Sequence, residues 1–206
     1  MGMSLQGKKV LVLGYGAVAQ ALIQILRPFN CDLTVLRRTW EASQKNDLEK
    51  LNIGLLSSAD SASLKATLSE TDIVFVACTL TDSTRGMINR DWLSNMKDRS
   101  FLVNVARGGI LDYDSITHGL KSGKLAGLGL DVFWQEPFDP SDPILSFDNV
   151  IVTPHIGGVT DVSYGNMAKL LVSTVSTMQK GVEEGVWNLP KNVNMIVSPK
   201  SLDVKY

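Results

Sequence analysis

Few side chains in this sequence are suited to proton transfer near neutral pH. The chain has 206 residues and only two histidines, His118 and His155. His155 follows the apolar run 150–153 and Pro154, whereas His118 lies in a helix-like stretch where a surface or packing role is expected. Because imidazole exchanges a proton near neutral pH, His155 is the candidate acid/base.

Two other segments carry groups that could complete such a site. Arg107 follows the apolar run 101–105, and Asp131 and Glu136 lie at and after the end of the run 125–131. An arginine can bind a substrate carboxylate in a bidentate manner, and a glutamate can orient an imidazole and favour its protonated form. The same residues could also be an unrelated structural arginine and two loop residues, and their spacing leaves both interpretations open.

The elements that must position these groups alternate along the chain. The strand candidates are Lys8–Leu13, Asp32–Leu36, Ile73–Cys78, Phe101–Val105, Leu125–Asp131 and Val150–Thr153. The helix candidates are Ala17–Leu26, Ser61–Leu68, Arg90–Met96, Asp112–Ser122 and Val162–Gln179. Near-continuous apolar runs are typical of parallel strands buried on both faces. The alternation therefore predicts an α/β fold, a Rossmann-type doubly wound parallel sheet with helices on both faces. The segment Gln135–Phe147, which contains three prolines, is predicted to be a long surface loop.

A glycine-rich turn joins the first strand candidate to the first helix candidate. It contains Gly14, Tyr15, Gly16, Ala17 and Val18, and Ala19 takes the place of the third glycine of the dinucleotide fingerprint. Gly14 permits the tight turn, Gly16 lets the backbone approach a pyrophosphate, and the helix directs its free N–H groups at that anion. The alternative is a structural turn without a ligand. We expect a dinucleotide-binding domain over residues 1–187 and a C-terminal extension over residues 188–206.

The end of the second strand candidate bears on which dinucleotide is bound. NAD enzymes place a carboxylate there to accept hydrogen bonds from the adenine-ribose 2′-OH. This chain instead has Arg37, Arg38 and Thr39. A carboxylate would repel a 2′-phosphate, whereas a guanidinium can bind it. We therefore predict NADP(H) as the preferred cofactor, with NAD(H) possible; the alternative is two solvated arginines on a loop.

Composition excludes several classes of partner. Hydrophobic residues make up 44% of the chain, charged residues 20%, and the formal net charge is −1, so no overall field recruits nucleic acid or an anionic membrane. Cys31 and Cys78 have no partner at metal-binding spacing, so we predict two buried, reduced thiols and no metal site. No signal peptide or membrane-spanning run is evident, and a cytoplasmic protein is expected.

Several further motifs occur in a fixed order around these residues. They are Leu80-Thr-Asp-Ser-Thr84, Met96-Lys97, Asn104-Val-Ala-Arg-Gly-Gly109, Ser122-Gly-Lys-Leu-Ala126, Leu130-Asp-Val-Phe133, Glu136-Pro137 and Thr153-Pro-His-Ile156. Together with the glycine turn, they resemble the D-isomer-specific 2-hydroxyacid dehydrogenase family from about Leu5 to Gly181. The basic pair after the second strand looks like the NADP(H)-dependent hydroxypyruvate/glyoxylate reductase branch.

The resemblance implies a role for each candidate residue. Arg107 would bind the substrate carboxylate, Glu136 would tune His155, His155 would be the acid/base, and Asp131 would hold the nicotinamide carboxamide. A homodimer formed through the nucleotide-binding domain is also implied. The expected cofactor-binding residues are Gly14, Tyr15, Gly16, Ala17, Val18, Arg37, Arg38, Thr39, Cys78, Thr79, Thr84, Val105, Ala106, Arg107, Asp131, His155, Gly157 and Gly158.

The sequence departs from the family pattern in two ways. Thr79 stands where members commonly have proline. The family's substrate domain is built mostly from a segment ahead of the glycine turn, and here the turn begins near residue 14, so we expect that domain to be missing and the tail to be its remnant. Two functions follow as hypotheses: an NADP(H)-dependent reductase of small 2-oxo acids, or a catalytically weak or inactive NADP(H)-binding module acting through protein contacts. A purely structural role, or a portion of a larger enzyme, is also open.

Overall fold

The computed structural model describes residues 4–183 of the chain. It divides into two compact units, Met1–Gly157 and Gly158–Tyr206. The first unit contains the whole sheet, and the described part of the second contains one long helix. The predicted boundary between residues 187 and 188 lies outside the described residues, so it stays a prediction.

A seven-stranded parallel sheet forms the first unit, with the strand order β3-β2-β1-β4-β5-β6-β7. The strands are β1 (Lys9–Leu13), β2 (Asp32–Arg37), β3 (Gly54–Ser57), β4 (Ile73–Val76), β5 (Ser100–Asn104), β6 (Leu125–Leu130) and β7 (Val150–Val152). The helices are α1 (Ala17–Leu26), α2 (Ala42–Lys50), α3 (Ser61–Glu70), α4 (Arg90–Asn95) and α5 (Tyr113–Lys121), with α6 (Asp161–Glu183) in the second unit. Short 3-10 helices occur at Arg27–Phe29, Gly108–Ile110 and Pro143–Ser146.

The sheet is covered by helices on both faces, as β1 illustrates. Leu11 and Leu13 belong to one apolar cluster, which includes buried side chains of α3, α4 and α5. Val10 and Val12 belong to a second cluster, which includes buried side chains of α1 and α2. Because side chains alternate between the faces of a strand, a continuous apolar run supplies both clusters. The predicted doubly wound α/β fold is confirmed.

Two elements were not predicted, α2 and β3, and both lie at one edge of the sheet. β3 begins with Gly54 and pairs only with β2. α2 has the largely polar sequence ASQKNDLEK, in which Leu48 is the only buried residue. Neither element has the apolar periodicity that a sequence pattern detects. The expectation of buried thiols was also wrong: Cys31 and Cys78 are free but only half-buried, because each lies just outside a strand.

Candidate active site

The glycine turn between β1 and α1 requires glycine at its first position. Gly14 has a φ of +100°, a backbone conformation that residues with a side chain rarely adopt. A Cβ atom there would also lie 2.8 Å from the carbonyl oxygen of Ala77 at the end of β4. The Gly14 N–H donates to the carbonyl oxygen of Leu36 at 2.8 Å. The turn is thus held against the carboxyl ends of both β2 and β4.

The N-terminus of α1 fits an anionic ligand such as a pyrophosphate. Its N-cap is Gly16, and the space beside this residue is open, because a Cβ atom added there would meet no other atom within 4 Å. No side chain caps the helix, and no acidic residue lies in its first turn. The N–H groups of the first turn are therefore available to an anion. The positive end of the helix dipole favours binding of that anion. Ala17 and Val18 begin this helix, as predicted from the sequence, and Tyr15 directly precedes its N-cap.

The basic residues at the end of β2 lie beside the glycine turn. Arg37 is the last residue of β2, and its guanidinium donates a hydrogen bond to the side-chain oxygen of Gln44. Its Cζ lies 6.0 Å from the centre of the Trp40 ring. Arg38 and Thr39 are exposed, and the Ser57 hydroxyl donates to the Arg38 carbonyl oxygen at 3.2 Å. Two cations therefore stand at the position where NAD enzymes place a carboxylate.

A cavity of about 430 Å³ opens between the segments that follow β4 and β5. It is lined by Val18, Ala77, Cys78, Thr79, Leu80, Val105, Ala106 and Arg107. Six of these lining residues were predicted to contact the cofactor. Thr84 was also predicted to contact the cofactor, which stays a prediction. Its hydroxyl folds the turn after β4, donating to the Thr79 carbonyl oxygen at 2.8 Å and accepting from the Thr81 N–H at 2.8 Å.

Arg107 is positioned by Asn104, the last residue of β5, which is fully buried. The Asn104 amide donates to the Arg107 carbonyl oxygen at 2.9 Å and accepts from the Ala106 N–H at 3.0 Å. The next residue, Gly108, packs directly on the following loop: a Cβ atom there would lie 2.0 Å from the carbonyl carbon of Phe133. Only glycine allows this approach, which brings the Arg107 turn against the segment leading to Glu136.

Glu136 and His155 form a hydrogen-bonded pair. His155 Nδ1 lies 2.6 Å from Glu136 Oε2, and the Phe133 N–H donates to the other carboxylate oxygen at 3.0 Å. The Phe133 hydrogen bond, the contact with His155 and the charge of Arg107 hold the pKa of Glu136 below its ordinary value near 4.5. An ionised carboxylate facing Nδ1 favours the tautomer with the proton on that nitrogen, so Nε2 is free to exchange a proton with a substrate.

The His155 backbone adopts an unusual conformation that Asp131 stabilises. His155 has a φ of +55°, in the left-handed region that costs a residue with a side chain about 1 kcal/mol or more. Asp131 Oδ1 accepts hydrogen bonds from the Thr153 hydroxyl at 2.6 Å and the Ile156 N–H at 3.0 Å, and Oδ2 accepts one from the Gly157 N–H at 3.0 Å. The carboxylate thus fixes the loop on both sides of His155.

These hydrogen bonds also keep Asp131 ionised. Partial burial by itself would raise the pKa of the Asp131 carboxyl, but the bonds from Thr153, Gly157 and Ile156, together with His155, hold the pKa below its ordinary value near 3.8. The observed partners of Asp131 are all within the chain. Its expected contact with the nicotinamide carboxamide stays a prediction.

The structure thus brings most of the sequence-derived candidates to one edge of the sheet. Gly158 is the exception, because it begins the second unit, which is described by itself. Sequence reasoning missed three side chains that position the others: Asn104, Thr153 and Gln44. Asn104 and Thr153 lie inside recognised motifs, which was a usable signal, whereas nothing in the sequence marks Gln44.

Within residues 4–183, no group of three or more His, Cys, Asp or Glu side chains is arranged to hold a metal ion. No helix of this described part is long and apolar enough to cross a membrane.

Residues 1–157 match the family model of the D-isomer specific 2-hydroxyacid dehydrogenase, NAD binding domain. The chain belongs to this family. Its dinucleotide-type site is therefore a site for a nicotinamide cofactor, built on the glycine turn described above.

The chain is also similar to individual members. It is 34% identical to a glyoxylate reductase of Pyrococcus furiosus over 181 residues, covering 88% of this chain and 51% of the relative. It is 30% identical to the human glyoxylate reductase/hydroxypyruvate reductase, covering 87% of this chain and 52% of the relative. The crystal structure of a glyoxylate reductase from Paecilomyes thermophila matches with a TM-score of 0.77 and 26% identity, covering 92% of this chain and 53% of that one. The chain thus spans about half the length of the relatives it matches.

Proposed function

We propose that this chain is the cofactor-binding and proton-transfer part of an NADP(H)-dependent oxidoreductase acting on a small 2-oxo or 2-hydroxy acid. The observation that carries the proposal is the 2.6 Å contact between His155 Nδ1 and Glu136 Oε2. It leaves a histidine with one free ring nitrogen at the carboxyl edge of the sheet, where open α/β folds bind their ligands. The names of the similar glyoxylate reductases support the same substrate class.

Each side chain has a defined task in this proposal. When bound, the reduced nicotinamide supplies the hydride that reduces the 2-carbon of the oxo acid. Arg107 binds the substrate carboxylate through charge-assisted hydrogen bonds. His155 delivers a proton from Nε2 to the carbonyl oxygen, and Glu136 stabilises the imidazolium before that transfer. Asp131 keeps the His155 loop in place.

NADP(H) is the proposed preferred cofactor, and NAD(H) can serve less well. The proposed preference for NADP(H) is supported by Arg37 and Arg38, which lie at the end of β2 beside the glycine turn. The nearby acidic residue, Glu41, is the N-cap of α2 and its carboxylate is engaged by the backbone of that helix. Guanidinium groups favour a cofactor that carries a 2′-phosphate.

A substrate panel tests the proposed chemistry. Glyoxylate and hydroxypyruvate should be reduced with NADPH, whereas aldehydes of similar size that lack a carboxylate should react poorly. Arg107→Met should raise the KM for the oxo acids by at least about tenfold, since it removes a charge-assisted pair, and should leave the poor aldehyde reaction unchanged. Equal use of acids and aldehydes by the wild-type chain would contradict the role of Arg107.

A second candidate function is an NADP(H)-binding module that acts through protein contacts. It is favoured by exposed apolar side chains on one face of the α1 segment: Val18 is 58% exposed, Ile25 64% and Phe29 48%. The same face supports the homodimer that the family resemblance implies, which light scattering would test. This module would bind NADPH without reducing any acid of the panel. The cytoplasmic location and the C-terminal extension over 188–206 remain predictions from the sequence.

A further inference from the structure

We infer that Gln44 and Trp40 are positioning residues that hold the Arg37 guanidinium ready for the 2′-phosphate of NADP(H). The inference rests on the proposed preference for NADP(H) and adds the residues that create it. Gln44 lies in α2, which the sequence did not reveal as a structural element, and Trp40 lies between β2 and α2.

Gln44 restrains Arg37 from the first turn of α2. Its side-chain oxygen accepts a hydrogen bond from Arg37 Nη1 and lies 3.4 Å from the Glu41 N–H, as part of a capping box with Glu41. The start of the helix therefore fixes the position of the amide. A guanidinium has five N–H donors, and Gln44 is the one hydrogen-bond acceptor that the Arg37 guanidinium has within residues 4–183. Donors of the same group therefore remain available to a phosphate.

Trp40 links Arg37 to the glycine turn. The indole N–H donates to the Leu56 carbonyl oxygen in β3 at 3.0 Å, which fixes the ring. The ring centre lies 6.0 Å from Arg37 Cζ. The ring centre also lies 5.8 Å from that of Tyr15, which stands between the two glycines of the turn. The guanidinium is thereby tied to the segment that faces the pyrophosphate.

Arg38 provides the contrast within the same pair. It is exposed, and its side chain has no hydrogen-bond or ion-pair partner in the described part of the chain. Ordering a free arginine on binding costs side-chain entropy, whereas Arg37 is already ordered. Arg37 is therefore the residue that discriminates between the cofactors, and Arg38 adds long-range attraction.

The test replaces Gln44 by leucine, which has a similar volume but no acceptor. Dissociation constants for NADPH, NADH, adenosine 2′,5′-bisphosphate and AMP are measured by calorimetry. Gln44→Leu should weaken NADPH and the bisphosphate about five- to tenfold, because an ordering contact to a charged group is lost. NADH and AMP should change less than about twofold. Trp40→Leu, which also loses the contact with Tyr15, should weaken NADPH and the bisphosphate more than NADH and AMP.

Glu41→Ala is the matched control, because it removes the other half of the capping box without touching Arg37. It should not lower the preference for NADPH over NADH, because it removes a carboxylate that a 2′-phosphate would face and keeps Gln44. If Gln44→Leu changed the dissociation constants for NADPH and NADH by the same factor, or changed neither, the inference would be overturned. The proposed function would still be upheld if the wild type preferred NADPH. A wild-type chain that binds NADH at least as tightly as NADPH would overturn the cofactor proposal and this inference with it.

Discussion

Replacing Asp131 by asparagine should loosen the loop that carries His155. Oδ1 of the carboxylate accepts from Thr153 and Ile156, and the Gly157 N–H donates to both oxygens, at 3.2 Å to Oδ1 and 3.0 Å to Oδ2. An asparagine amide has a single oxygen, so its NH₂ group must face at least one of these donors. The variant therefore loses one or more hydrogen bonds that now offset the left-handed backbone of His155.

The expected cost follows from the type and exposure of these bonds. A hydrogen bond to a charged group contributes about 1.5–3 kcal/mol when it is shielded from solvent. Asp131 is only half-buried, so solvent reduces this value, and we expect Asp131→Asn to lower the free energy of unfolding by roughly 1–2 kcal/mol.

Urea unfolding measures this loss, and Asp139→Asn is the control. Asp139 is also a loop carboxylate, but both of its hydrogen bonds from Ser141 go to one oxygen, which asparagine retains; its effect should stay within about 0.5 kcal/mol. Imidazole NMR signals report on the site, because the chain has only two histidines and His118→Asn assigns them. An unchanged urea midpoint together with unchanged His155 signals in Asp131→Asn would refute the reasoning.

Three further predictions concern the same edge of the sheet. Gly108→Ala should destabilise the fold by about 3 kcal/mol or more in urea unfolding, because its Cβ would lie 2.0 Å from Phe133. Gly109→Ala, whose Cβ would have Leu80 and Arg85 side-chain atoms as its nearest neighbours at 3.4 Å or more, should cost under about 1 kcal/mol; similar losses in both variants would contradict the packing argument. The pKa of Glu136 is lower in the fold than its ordinary value near 4.5, so its stabilising contribution is present above that value and lost as pH falls through the folded pKa. Acid unfolding of Glu136→Gln should therefore be less steep than that of the wild type, and identical pH profiles would contradict this. Burial and the nearby Asp142 carboxylate raise the pKa of Tyr113 from its ordinary value of 10.0 to about 12. Its stabilising contribution should therefore be fully present below pH 10.0 and be lost as pH rises through the folded pKa of about 12. Tyr113→Phe should remove the last-titrating tyrosinate signal from the ultraviolet spectrum, and its persistence would show that another tyrosine gives it.

The sequence was informative where one local rule decides the structure. The strand, the Gly14–Gly16 turn and the following helix were predicted because a buried parallel strand is apolar throughout and a pyrophosphate turn needs glycine. His155 and Glu136 were predicted to cooperate because the strand ends before them were expected at one sheet edge. The 2.6 Å contact between them agrees with that expectation.

The sequence was uninformative where tertiary contacts, and not a local pattern, determine the structure. α2 buries a single side chain, Leu48, so its pattern resembles that of a polar loop, and its role in holding Arg37 could not be foreseen. The positioning of Arg107 depends on Asn104 being fully buried, which no spacing rule indicates. The positive φ of His155 likewise arises from hydrogen bonds to Asp131, 24 residues earlier in the chain.

In the proposed reaction, His155 transfers a proton at this edge of the sheet. The direct test follows NADPH oxidation at saturating hydroxypyruvate for the wild type and for His155→Ala, with the NADPH dissociation constant measured for each. We expect turnover by the wild type, a loss of kcat of about 100-fold or more in the variant, and a much smaller change in the NADPH dissociation constant. Equal rates in the two proteins, or a wild type that binds NADPH tightly yet reduces no 2-oxo acid, would contradict it.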